Sequence, residues 1–255
     1  MSKNLGEQNE IFLMAFLLMM FNKKLPITGS HDIGLIKTLR FYPNEKLPTW
    51  KNKYEYYLKN RDYNALKTIF PKAPTGAKAD LEINGIKYSV KNSLGAKSAI
   101  VNHTNRNGFL RIFKLLHLDI SLLDTIVNDY WNKRISAEIK EDINNQSNNS
   151  PFAKYKEYLK PILEYFLFNG TGTRDSKFPA DKMLIFKEPE DTLNYQILTK
   201  SEAVDSLWND LTFSIRSKKG MPKVYNSKKH KDLAPWVRTY QSSAKSPKGA
   251  LHIRS

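Results

Sequence analysis

No cysteine occurs among the 255 residues, which removes disulfides, thiolate nucleophiles and cysteine-ligated zinc from the available chemistries. The absence fits a reducing compartment, and a cytoplasmic location is expected. Acids are scarce. Twenty-five Asp and Glu stand against 41 Lys and Arg, a formal net charge of +16. A protein acting on cationic or neutral metabolites has no need of such an excess, and a polyanionic partner is its economical explanation. A long apolar run is also missing: residues 11–21 (IFLMAFLLMMF) fall short of the roughly 18 residues that suggest a membrane span. No membrane partner is expected. Glu7 and Glu10 precede that run where a secretory leader carries basic residues, so it reads as a buried helix.

What is present is enough to fold. Hydrophobic residues make up 40% and aromatics 12%, too rich in core-forming side chains for a disordered polymer. The length suits one elaborated domain over 1–255. Its charge is uneven: eleven of the 41 basic residues and one acid, Asp232, lie between Ser214 and the C-terminus, so this segment carries +10. Residues 214–255 therefore read as a basic segment within the domain.

Asn4 with Glu7 three positions on approximates a capping box, and the first helix is expected to end before Pro26. Residues 31–70 read as short helices and loops, with helical patches at 33–40 and 54–66. Helical spacing returns at 98–114 and 121–143, and 144–151 (NNQSNNSP) reads as an exposed connection. A further helix is expected at 152–168 and strands at 183–187, 195–199, 211–216 and 250–254.

The clearest local signal is ADLEINGIKYSVK, residues 79–91, a β-hairpin turning on Asn84-Gly85 as type I′. A two-residue turn pairs Ile83 with Ile86, Glu82 with Lys87, Leu81 with Tyr88, Asp80 with Ser89, and Ala79 with Val90. Ala79, Leu81, Ile83, Ile86, Tyr88 and Val90 then form an apolar face. Asp80, Glu82, Lys87, Ser89 and Lys91 project from the other, with Lys91 diagonal to Asp80 at roughly 7–8 Å. A carboxylate and an ammonium on adjacent strands suit metal-dependent phosphodiester hydrolysis. The acid holds a hard divalent cation and the lysine orients water or offsets charge on the phosphate. Hairpins with one charged face are also ordinary half-exposed sheet.

Gly76-x-Lys78-Ala79-Asp80 followed by Ser89-Val90-Lys91 resembles the PD-(D/E)xK nuclease motif, and its surroundings, over roughly 7–111, are similar to a type II restriction endonuclease. The resemblance implies an α/β fold, a restriction-endonuclease-like mixed central sheet flanked by helices. It also implies Mg²⁺-dependent, sequence-specific cutting of double-stranded DNA. Carried over by position, Asp80 would ligate Mg²⁺, the Val90 carbonyl would complete the metal shell, and Lys91 would position the attacking water. Ala79 stands where the family has proline, and Ser89 where it usually has Asp or Glu. Counting Ser89 among the catalytic positions leaves the site one carboxylate short. Glu10, just before the apolar run of the first helix, is the expected replacement. Glu82 is the alternative, and Glu7 and Glu10 also read as ordinary first-turn acids.

Expected DNA contacts are Lys78, then Asn92, Ser93, Lys97 and Ser98, then Asn102, His103 and Arg106, and in the basic segment Arg216, Lys218, Lys219 and Lys223. Such polar stretches are equally the exposed faces of loops and helices. The scattered histidines lack the spacing of an HNH-type site. A palindromic target calls for a homodimer with two-fold symmetry, although monomeric enzymes of this size occur in the family. Two other functions stay open: a non-catalytic nucleic-acid-binding protein, and a structure-specific resolvase or repair nuclease.

Overall fold

The computed structural model describes residues 5–29, 31, 33–43, 46–70, 76–95, 99–217, 226, 228–234, 236–238 and 247–255. In chain order the helices are α1 (Leu5–Lys23), α2 (Lys53–Lys59), α3 (Tyr63–Lys67), α4 (Arg106–Leu115), α5 (Ser121–Ile135), α6 (Lys156–Glu164) and α7 (Lys200–Leu207). The first strands are β1 (Pro26–Ile27), β2 (Gly34–Leu35), β3 (Leu39–Phe41), β4 (Leu81–Ile83), β5 (Ile86–Asn92) and β6 (Ala99–Asn105). They are followed by β7 (Ile143–Asn144), β8 (Lys182–Phe186), β9 (Gln196–Leu198), β10 (Thr212–Arg216) and β11 (Ala250–Arg254). The protein is mixed α/β, and among the described residues no helix is long and apolar enough to cross a membrane. The chain divides into two compact units: 1–96 with 167–170 and 175–203, and 97–166 with 171–174 and 204–255.

The first unit is organised by α1. Eight consecutive residues, Ile11 to Leu18, are buried, so more than two full turns are covered all round, as an apolar helix without a polar face requires. Leu13, Leu17 and Leu18 are fully buried, each worth about 1.5–3 kcal/mol of apolar surface withdrawn from water. Their cluster includes Leu39 and Phe41 of β3, Leu81 and Ile83 of β4, Tyr88 and Val90 of β5, and Leu184 and Phe186 of β8. The apolar face of the hairpin is thus its core face.

Strand order in this sheet is β3-β4-β5-β8-β9, which puts the hairpin inside the sheet. Every pairing is antiparallel except that of β5 with β8, which run parallel with Val90 opposite Leu184. A parallel neighbour demands a long crossover, here the chain between 92 and 182. The turn is as expected: Asn84 and Gly85 take φ of 52° and 82°. Asn84 also anchors the turn from its side chain, accepting the Lys37 N–H at 2.7 Å and the Thr38 N–H at 3.2 Å.

The second unit holds an antiparallel sheet ordered β6-β11-β10-β7. Its core includes a face-to-face pair, Phe152 on Phe213 at 4.2 Å, and the fully buried Tyr130, Trp131 and Trp236.

Several expectations are corrected. Residues 33–40 form strands β2 and part of β3, because Leu39 and Phe41 alternate inward against β4. The helix expected from 98 begins at Arg106, and β6 precedes it because 99–105 find partners on β11, about 150 positions away by number. Asn105 marks the change, accepting the Gly108 N–H at 3.1 Å as an N-cap. The helix expected over 121–143 stops at Ile135, just before Ala137 takes a positive φ of 60°, and Ile143 pairs instead with Phe213. Within 144–151, Asn145 and Ser150 are buried and bonded to each other at 3.1 Å, while Asn145 also donates to the Trp208 carbonyl. The expected strands at 183–187, 195–199, 211–216 and 250–254 are present with shifts of a residue or so at their ends.

Candidate active site

Hairpin pairing holds for Leu81 with Tyr88, Glu82 with Lys87 and Ile83 with Ile86, and then stops. The ladder expected between Asp80 and Ser89 and between Ala79 and Val90 does not form. Asp80 N–H donates to the Tyr88 carbonyl at 2.9 Å, while the N–H groups of Lys78 and Ala79 turn away to the Phe178 carbonyl at 3.0 and 2.9 Å. A gap opens beside Val90, and the Asp80 carboxylate fills it. Its Oδ2 accepts the Val90 N–H at 2.8 Å, replacing the main-chain acceptor that a continued ladder would have supplied. An unpaired N–H inside a sheet is costly, so the departure of the strand and the placement of the acid stabilise each other.

This bond determines where the acid points. The N–H and C=O of a strand residue face the same neighbour, so the Val90 carbonyl lies on the edge occupied by Asp80. Oδ1 of Asp80 takes no hydrogen bond among the described residues. Two oxygens on this edge, one from a carboxylate and one from the main chain, are a donor set for a hard divalent cation that keeps several waters. Among the described residues no group of three or more acidic or histidine side chains is placed to hold a metal. The oxygens this edge offers a cation are those of Asp80 and Val90.

Electrostatics concentrate at the same point. Asp80 as a residue is half-buried, but its carboxyl is desolvated, and this pushes its pKa up against the opposing pull of Lys91, the Val90 N–H and Lys78. Burial, joined by the like charge of Lys91, brings the Lys78 ammonium down to about 8, with Asp80 acting the other way. Lys91 is half-buried, and its ammonium makes no hydrogen bond or ion pair among the described residues. The hairpin edge therefore holds one acid between two amines.

α1 carries Glu10 and packs against β5. Gly6, Asn9 and Glu10 share a helix face. Asn9 Nδ2 donates to Asn92 Oδ1 at 3.3 Å, and a Cβ built on Gly95 would come within 3.3 Å of Gly6 Cα. The half-buried Glu10 thus sits on the face of α1 turned to the end of β5. Glu82, the alternative acid, instead accepts the Tyr42 hydroxyl at 2.5 Å. Ser89 is 4% exposed, opposite Met183 of β8 in the parallel register.

The expected DNA contacts are placed as follows. Lys78, Asn92 and Ser93 belong to the first unit with Asp80, Val90, Lys91, Ser89 and Glu10. Asn92 is fully engaged, donating to the carbonyls of Phe186 and Lys187 at 3.3 and 2.7 Å and accepting from Leu94 N–H at 3.1 Å. Ser93 is exposed. Asn102, His103, Arg106 and Arg216 belong to the second unit. Asn102 is exposed, whereas His103 Nδ1 lies 3.0 Å from the Ser217 carbonyl. Arg106 is locked onto Asp124 in a two-pronged ion pair, and Arg216 is bonded to Asp142. Lys97, Ser98, Lys218, Lys219 and Lys223 lie outside the described residues.

Tyr42 and Phe178 were not foreseen at this site. Each meets the hairpin from about 40 or 100 positions away, and neither carries a local pattern that marks it.

The raised Asp80 carboxyl makes a stability prediction. Above its folded pKa, ionisation costs the folded state more than the unfolded one; below about 3.9 both bind the proton and the penalty disappears. Asp80→Asn keeps an acceptor for Val90 N–H and removes the charge. In metal-free buffer its Tm is expected to exceed the wild type's at neutral pH by on the order of a few degrees. The difference should vanish as pH falls into the acid range, which scanning calorimetry at several pH values checks.

Comparison of the chain with models of known families, with curated proteins and with solved structures finds no match.

Proposed function

We propose that the protein is a Mg²⁺-dependent endonuclease that cuts double-stranded DNA at a specific sequence, a type II restriction endonuclease of the PD-(D/E)xK superfamily. The observation that carries this reading is the Asp80 carboxylate seated in the interrupted ladder, bonded to Val90 N–H and electrostatically coupled to Lys91 and Lys78. It is supported by the order of elements, a helix, three antiparallel strands and a later strand parallel to the third, and by the charge of +16.

Bound between Asp80 and the Val90 carbonyl, with Glu10 adding its carboxylate from α1, Mg²⁺ would supply Lewis-acid polarisation of the scissile phosphate and an acidified water. The remaining chemistry belongs to the chain. Asp80 offers Oδ1 while Oδ2 stays fixed by the Val90 N–H, so the ligand oxygen is oriented before substrate arrives. Lys91 has an ammonium with three donors, uncommitted among the described residues and suited to orient the attacking water and to offset charge that builds on the phosphate oxygens. Lys78 adds a second positive charge beside them. Ser89, buried and uncharged, serves packing and not ligation. A palindromic target would be met by two copies related by a two-fold axis.

Incubating the protein with supercoiled plasmid and Mg²⁺, then sequencing the ends, tests this reading. Discrete fragments sharing one terminal sequence support it. Retarded plasmid without nicks indicates a non-catalytic binder, and preferential cutting of branched DNA indicates a resolvase or repair nuclease.

A further inference from the structure

The four-stranded sheet of the second unit carries a polar, basic face. Pairing sets Thr212 opposite Arg254 and Ser214 opposite His252, with Arg216 one step further along the same face of β10. Phe213, Ile215, Leu251 and Ile253 are buried on the opposite face. β6 adds a histidine: its register against β11 is interrupted between Leu251 and Ile253, and His103 takes a positive φ of 41° there. This kink brings the His103 ring edge-on to His252 at 4.7 Å between centroids.

One acid holds the two arginines. Asp142 accepts from Arg216 through Oδ1 at 2.7 Å and from Arg254 through Oδ2 at 2.9 Å. Arg216 also donates from Nε to Ser214 Oγ at 3.0 Å. Each guanidinium has five N–H donors, so most of them are uncommitted among the described residues. Both side chains keep about a third of their surface in solvent, at 31% and 39%, so an incoming group can reach them.

A second observation points the same way. His252 Nδ1 is buried and has no hydrogen-bond partner among the described residues. Polar atoms in such positions are nearly always satisfied by a neighbour, water or ligand. Burial, joined by the neighbouring His103, Arg216 and Arg254 and opposed by Asp142, holds the His252 pKa below its usual value and keeps its ring neutral at neutral pH, one nitrogen then being a donor. Two guanidiniums fixed by one carboxylate beside a pair of imidazoles match the planar, multi-oxygen recognition that phosphate requires.

We propose that this face, centred on Arg216, Arg254 and His252 with His103 packed beside them, binds a phosphate group, using none of the residues assigned to the metal and catalytic positions. The phosphate is either part of a nucleic-acid backbone or free orthophosphate. The test uses full-length protein carrying Asp80→Asn, so that its outcome does not depend on cleavage. Duplex DNA binding is followed by fluorescence anisotropy across a salt series, and orthophosphate binding by calorimetry. If the ligand is DNA backbone, adding Arg254→Gln weakens binding several-fold and lowers the slope of log K against log salt by about 0.9, the release expected for one lost phosphate contact. Arg254→Lys keeps the charge and should preserve the slope, and His252→Gln should weaken binding without changing it. If the ligand is free phosphate, Arg254→Gln abolishes an orthophosphate isotherm and leaves the DNA slope unchanged. A parent-like DNA slope and a parent-like orthophosphate titration in both Arg254→Gln and His252→Gln overturn the proposal.

Discussion

Lys91→Ala is expected to cut plasmid about 10²–10³-fold more slowly than the wild type while binding duplex DNA almost as tightly, the loss typical when one preorganised donor to a developing oxyanion is removed. The reason lies in what Lys91 does not do. It sits at the end of β5 beside Asp80 and Lys78, yet its ammonium holds no partner among the described residues, so truncation breaks no bond that supports the fold. Removing it relieves the like-charge repulsion on Lys78 but also takes a favourable charge from the desolvated Asp80, so the melting temperature of the variant is measured beside its rate. A catalytic loss in a variant that is folded at the assay temperature is not explained by unfolding. Lys91→Arg should be only partly active, because a planar fork replaces a compact ammonium. Single-turnover cleavage and a gel-shift titration on the same preparations separate rate from affinity. Wild-type cleavage by Lys91→Ala would remove the lysine from the chemistry.

A second large effect is expected in the other unit. Asp124→Ala should destabilise the protein by about 3 kcal/mol, because three hydrogen bonds to a carboxylate, two from a guanidinium and one from a buried indole, lose their acceptor. Asp124 Oδ1 accepts Arg106 Nε at 2.8 Å and Trp236 Nε1 at 2.6 Å, while Oδ2 accepts the second Arg106 prong at 2.6 Å. The two side chains of the ion pair are only 19% and 18% exposed. Trp236 is fully buried, and its carbonyl receives Trp131 Nε1 at 3.0 Å. One carboxylate thus satisfies a guanidinium and an indole, and through Trp236 it orders a second indole. Asp124→Asn, which keeps an acceptor, should cost markedly less. Denaturant titration followed by tryptophan fluorescence measures both. A cost below about 1 kcal/mol for the alanine variant, the level of an exposed pair, would contradict this account.

The same pair shows why Arg106 was legible only as a charge. Sequence marks a basic residue near the hairpin among hydrogen-bonding neighbours, and this matches a phosphate contact. Its partner lies 18 positions on in another helix, and no local spacing announces it. The hairpin was readable because its information is local: Asn84-Gly85 sets the turn, and period-two alternation sets the faces. What the alternation could not show is where the ladder ends. That depends on Phe178 drawing off the N–H groups of Lys78 and Ala79, a contact made about 100 positions away. Helical spacing at 99–105 was overridden for a similar reason, because those residues pair with the last strand of the chain. The strands at 212–216 and 250–254 were legible because alternation there agrees with the non-local pairing.

The most direct measurement is the cleavage rate of Asp80→Asn against the wild type under saturating Mg²⁺, with the thermal stability of both measured on the same samples. Asparagine preserves the acceptor for Val90 N–H and relieves the desolvated charge, so the variant should be folded and at least as stable as the wild type in metal-free buffer. Cleavage should nevertheless fall by about a thousandfold or more, since the anionic ligand that fixes the cation is gone. A folded Asp80→Asn protein that cuts DNA at the wild-type rate would contradict the claim that this carboxylate holds the catalytic metal.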